Sequence, residues 1–213
     1  MPLLGVGLDP VSRGAIEQVF GTMTPTMSGA NRGAEDREEK AWFHFWFSTY
    51  GTWLRGDERG FRDHDHRVHS SGDYRNPPPK DEHAGLRAWT RAHMHKDPVR
   101  LDAELRRRVC ASIVTRLRTG GVELLVVAVM NDHVHGLAWC PVESVKTLVG
   151  HAKRSSSHAI RDRIPGAAWG RRCGLKRIKD QEHQRATFCY IAGHGRKGGV
   201  VWTFRDPDPR VGS

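Results

Sequence analysis

Leu124-Leu125-Val126-Val127-Ala128-Val129-Met130-Asn131-Asp132-His133-Val134-His135-Gly136-Leu137 decides the fold of this 213-residue chain. The stretch is an apolar run, a two-residue polar turn and then His-apolar-His. The run has the length of a strand, and Asn131-Asp132 suits the tight turn of a hairpin. In a strand, residues i and i+2 point to one face. His133 and His135 therefore project together while Val134 turns into the core. Two imidazoles side by side can hold a divalent metal. They can equally be a hydrogen-bonded strand pair, and spacing alone leaves both readings open.

Two other histidine triplets compete and fail on geometry. His93-Met94-His95 lies in a helix-like or loop segment, where i and i+2 diverge by about 200° at ~100° per residue. His64-Asp65-His66 sits in a charged loop.

Outward from the hairpin, Asp102 can cap a helix with Leu101, Leu105, Val109, Ile113 and Leu117 at four-residue spacing, ended by Gly120-Gly121. Ala41–Thr49 is aromatic-rich and reads as a buried first strand. After the hairpin, a second helix is expected from Ser144 to about Arg163 and a short strand over Leu175–Asp180. A third helix, capped by Asp180, is expected from Gln181 to about His194, and a last strand over Val200–Phe204. The order β-α-β-β-α-β-α predicts an α+β, ferredoxin-like (RNA-recognition-like) antiparallel sheet with helices packed on one face. Residues 1–40 read as a mobile leader, and 41–213 as a single domain with a long Gly- and Pro-rich insertion at about 51–98.

Composition narrows the function classes. The longest apolar run is far short of a membrane-spanning helix. No signal peptide is visible, because Asp9 and Arg13 interrupt the first apolar stretch. The four cysteines form no Cys-x-x-Cys pair, which argues against a structural zinc cluster and suits reduced thiols in the cytoplasm. Net charge is +10, which suggests a polyanion as partner. The charge is concentrated: between Lys146 and Lys179 stand ten Lys/Arg against the single acid Asp162, a net of +9. Such a stretch can be a solvated face. Following the His-Val-His strand directly, it points to a nucleic-acid groove built by Lys146, Lys153, Arg154, Arg161, Arg171, Arg172, Lys176, Arg177 and Lys179.

The chain has three tyrosines, Tyr50, Tyr74 and Tyr190. Only Tyr190 shares a helix face with a further possible metal ligand, His194, four residues on. Taken alone, Tyr190 reads as a core aromatic with its hydroxyl at the surface.

Taken together, these residues resemble the single-tyrosine transposases of the HUH endonuclease class, the insertion-sequence-200-like enzymes and the REP-associated tyrosine transposases. The resemblance runs from about Ala41 to Phe204. It rests on Asn131-Asp132-His133-Val134-His135, on Tyr190 and His194, on Lys153-Arg154-Ser155-Ser156, and on Phe47-Ser48-Thr49-Tyr50-Gly51-Thr52-Trp53. Asp132 and the long insertion depart from the usual pattern. The order histidines-then-tyrosine is that of transposases and replication initiators rather than relaxases.

The resemblance implies that Tyr190 is the nucleophile and that His133, His135 and His194 hold Mg2+ or Mn2+. It implies cleavage and rejoining of single-stranded or hairpin DNA through a 5′-phosphotyrosine. It further implies a cytoplasmic, nucleoid-associated protein acting as a monomer or a homodimer. The alternative it leaves is a domesticated or inactive single-strand nucleic-acid-binding protein of the same fold.

Overall fold

The computed structural model describes residues 38–57, 61–62, 68–69, 79 and 81–207. The expected leader therefore lies outside the described residues except for its last three positions, as does much of the 51–98 insertion. The elements are β1 (Lys40–Ser48), β2 (Phe61–Arg62), β3 (Val68–His69), α1 (Ala84–Ala92), α2 (Ala103–Thr119), β4 (Glu123–Val129) and β5 (His133–Pro141). They continue as α3 (Val145–Ala159), β6 (Gly174–Arg177), α4 (Gln181–Ala192), a 3-10 turn over Gly193–Lys197, and β7 (Val200–Thr203).

Five strands form one sheet in the order β6-β1-β5-β4-β7, and every neighbouring pair is antiparallel. This is the expected α+β architecture. β1 alternates strictly, so that Phe43, Phe45 and Phe47 are buried on one face. Against that face pack α2 and α3. Asp102 caps α2 by accepting a hydrogen bond from the Leu105 N–H at 2.8 Å. The helix buries Leu105, Val109, Ile113 and Leu117 along one stripe. Past its end, Gly121 takes a left-handed φ of 74° that favours glycine. Trp169 joins this core and donates its indole N–H to Ser156 Oγ of α3 at 3.1 Å.

One helix departs from the expected one-face arrangement. α4, capped by Asp180 through the His183 N–H, places Ile191 and Phe188 in a second core with Val126, Ala128 and Leu137. Val127, Val129 and Val134 belong to the first core. Because side chains of a strand alternate between faces, α4 lies on the side opposite α2 and α3. The continuous burial of Leu124 to Val129 has the same cause, since β4 is covered on both faces.

Candidate active site

β5 and α4 bring the site together. His133 and His135 leave β5 on the α4 side, with Val134 fully buried on the other. α4 stops at Ala192, and His194 sits in the following 3-10 turn. One nitrogen of each of His133, His135 and His194 lies within 4.8 Å of the other two. Tyr190 stands over them. Its ring centroid is 5.0 Å from that of His194 and 5.4 Å from that of His135, and the residue is 53% exposed.

In each imidazole the Nδ1 atom is already engaged. His133 Nδ1 meets a carboxylate oxygen of Asp132, whose other oxygen accepts from Arg100 at 2.8 Å. His194 Nδ1 lies 3.0 Å from the Tyr190 carbonyl and 3.1 Å from that of Ile191. Both sets of partners only accept, so these two Nδ1 atoms carry the proton and Nε2 keeps its lone pair. His135 Nδ1 lies 2.9 Å from Nε2 of His44. A cluster of three imidazoles whose Nε2 atoms are the ones left over is a donor set suited to a divalent metal.

The electrostatics favour the neutral form of His44, His135 and His194. Burial, with His44, His133 and His194 as neighbours, pushes His135 down to about 2. Burial, then the Lys176 ammonium, pushes His44 down to about 4. Burial likewise lowers His194. The hydrogen bond from His133 is the main cause holding Asp132 below the usual carboxylate value. Burial raises the Tyr190 phenol above its ordinary value, so the hydroxyl is protonated at neutral pH.

A family model described as "Transposase IS200 like" matches residues 93–194, a span holding all four of these site residues. Over that span the chain is similar to the IS200-like transposases. No curated protein sequence matches the chain. Solved structures similar to it include a REP-associated tyrosine transposase bound to a REP hairpin, at 14% identity over 81% of this chain and 74% of that one, with a TM-score of 0.43. Another is a candidate transposase from Deinococcus radiodurans R1, at 17% identity over 78% and 97% of the two chains, with a TM-score of 0.37.

The cations expected to form one groove divide into groups. Lys153, Arg154, Arg161 and Arg171 line one open cavity of about 380 Å³ beside α3, on the side of the sheet away from Tyr190. Within it Lys153 is committed to structure. Its ammonium donates to the carbonyls of Gly170, Arg171 and Arg172 at 2.7–3.3 Å and lies over the Phe47 ring. Burial lowers its pKa. Lys176 stands directly across from His44 on β6, hence on the histidine face. Arg177 pairs with Glu39. Lys146, Arg172 and Lys179 are exposed and do not line that cavity.

Sequence reasoning missed two residues of the site. His44 was hidden in the run Trp42-Phe43-His44-Phe45-Trp46, where a lone polar residue on an aromatic strand was the available signal. Asp132 registered only as a departure from the family pattern, although a carboxylate beside a candidate ligand histidine is a recognised way to orient it.

Proposed function

We propose that the protein is a DNA transposase that nicks and rejoins single-stranded or hairpin DNA, with Tyr190 as nucleophile and Mg2+ or Mn2+ held by His133, His135 and His194. The observation supporting this most strongly is the convergence of the three histidines, with Nδ1 engaged in each, directly beneath the half-exposed Tyr190 ring. A divalent cation bound there would withdraw charge from a non-bridging phosphate oxygen.

The rest of the chemistry falls to the chain. The Tyr190 oxygen bonds to phosphorus as the phosphorus–O3′ bond breaks. The phenol gives up its proton and the leaving 3′-oxygen gains one, so the products are a 5′-phosphotyrosine and a free 3′-hydroxyl. A 3′-hydroxyl attacking that phosphorus reverses the exchange and restores Tyr190. One phosphodiester replaces another, so neither water nor a nucleotide cofactor is consumed. Arg154, Arg161 and Arg171 in the cavity beside α3, and Lys176 near the histidines, are assigned to the DNA backbone.

The test is a covalent adduct. The protein incubated with single-stranded DNA from its own genomic flanks and Mn2+ should retain label on a denaturing gel. Tyr190→Phe should abolish the adduct and leave DNA binding intact. Adduct persisting in Tyr190→Phe would move the nucleophile to Tyr50 or Tyr74, and wild-type binding without any adduct would favour an inert single-strand binder.

A further inference from the structure

His44 stands on β1, where it directly faces Leu137, while His135 faces Trp46. His44 and His135 are thus diagonal neighbours on one face of an antiparallel pair, a separation that a hydrogen bond between two rings can bridge. The bridge is made, with His44 Nε2 2.9 Å from His135 Nδ1 and the ring centroids 5.1 Å apart. The Trp46 ring, 5.0 Å away, and Lys176 on β6 flank His44 and leave its Nε2 directed at His135.

Two neutral imidazoles in contact share one proton, so one ring donates and the other accepts. If His44 donates, His135 carries its own proton on Nε2 and cannot offer that atom to a cation. If His44 accepts, His135 carries the proton on Nδ1 and Nε2 is a lone pair. The corresponding choice is already settled for His133 by a carboxylate and for His194 by two carbonyls. Of the three rings, only His135 has a partner able to play either part.

We infer that His44 is a positioning residue for the histidine cluster: its Nε2 accepts the His135 Nδ1–H and so turns the His135 Nε2 lone pair toward His133 and His194. This rests on the metal-binding reading proposed above. His44 does not itself touch the cation or the DNA. Its side chain selects the tautomer and the ring orientation of a ligand that does.

The test compares His44→Leu, which fills similar space and accepts nothing, with His44→Gln, whose amide oxygen accepts. Zn2+ affinity is measured by calorimetric titration of the DNA-free protein. His44→Leu should bind Zn2+ about 10- to 100-fold more weakly than wild type, the range typical when such a supporting partner is removed. His44→Gln should recover most of that loss. His44→Leu within twofold of wild type, or His44→Gln as weak as His44→Leu, overturns the role. Wild-type protein in Zn2+ gives a readout that needs no variant: long-range proton–nitrogen NMR should show His44 unprotonated at Nε2, and a proton there overturns the assignment. Wild-type protein that binds no Zn2+ defeats the metal reading itself and the His44 role with it, whereas normal wild-type binding unaffected by His44→Leu defeats His44 alone.

Discussion

At the scale of single residues, two histidines of the site are held in their neutral form, and that has a consequence for stability. His44 and His135 have folded pKa values of about 4 and about 2, against 6.5 for a free imidazole. Above pH 6.5 neither the folded nor the unfolded chain protonates them, and their full contribution is present. As pH falls below 6.5, the unfolded chain takes up protons that the folded protein refuses, so stability declines by up to about 1.4 kcal/mol per pH unit for each ring. His44 is partly open to solvent, which reduces its share. Between pH 7 and pH 5 the metal-free protein should lose on the order of 2–3 kcal/mol, seen as a Tm lower by roughly 5–10 °C. Calorimetric melts in the presence of a chelator measure this. A Tm that stays level over that interval would show that both rings protonate freely in the folded state. His135→Leu should flatten the decline, because one of the two groups is gone.

At the scale of elements, β5 must lie close against β1 for His135 to meet His44, and a glycine permits it. A Cβ at Gly136 would stand 2.1 Å from the Phe45 ring, which is fully buried. Gly136→Ala should therefore cost about 1–3 kcal/mol through overpacking, lowering Tm by a few degrees to roughly 10 °C. An unchanged Tm would mean that the Phe45 ring can move aside. The same strand shows what a sequence discloses and what it withholds. His133-Val134-His135 was legible because period two is a local property of a strand, and the Asp102 and Asp180 caps were legible for the same reason. The His44–His135 bond joins residues 91 positions apart through strand register, which no local pattern encodes. The placement of α4 on the far face was encoded, but indirectly. The unbroken apolar run Leu124–Val129 has no polar side to give to solvent, and that is the mark of a strand covered on both faces.

At the scale of the whole molecule, the +9 carried between Lys146 and Lys179 does not act as a single surface. Arg154, Arg161 and Arg171 line the cavity on the α3 side of the sheet, whereas the histidines and Tyr190 lie on the α4 side. β6 is the sheet edge between them, and its Lys176 faces the histidine side. A strand held in the cavity would reach Tyr190 by passing around that edge. Charge in the segment therefore divides by task. Lys153 holds three backbone carbonyls in place, one part-buried and two exposed, so Lys153→Met removes those hydrogen bonds and should cost about 1 kcal/mol of stability. Arg154→Glu combined with Arg161→Glu touches exposed cations and should leave Tm nearly unchanged. The double variant should instead weaken single-stranded DNA binding and make the slope of log affinity against log salt shallower by about 0.7 for each phosphate that the protein no longer neutralises. Binding measured at several salt concentrations, beside melting curves for both variants, separates the two tasks. A double variant with the wild-type salt slope would remove the cavity from the DNA path, and a Lys153→Met variant as stable as wild type would return that lysine to the group free to meet phosphate.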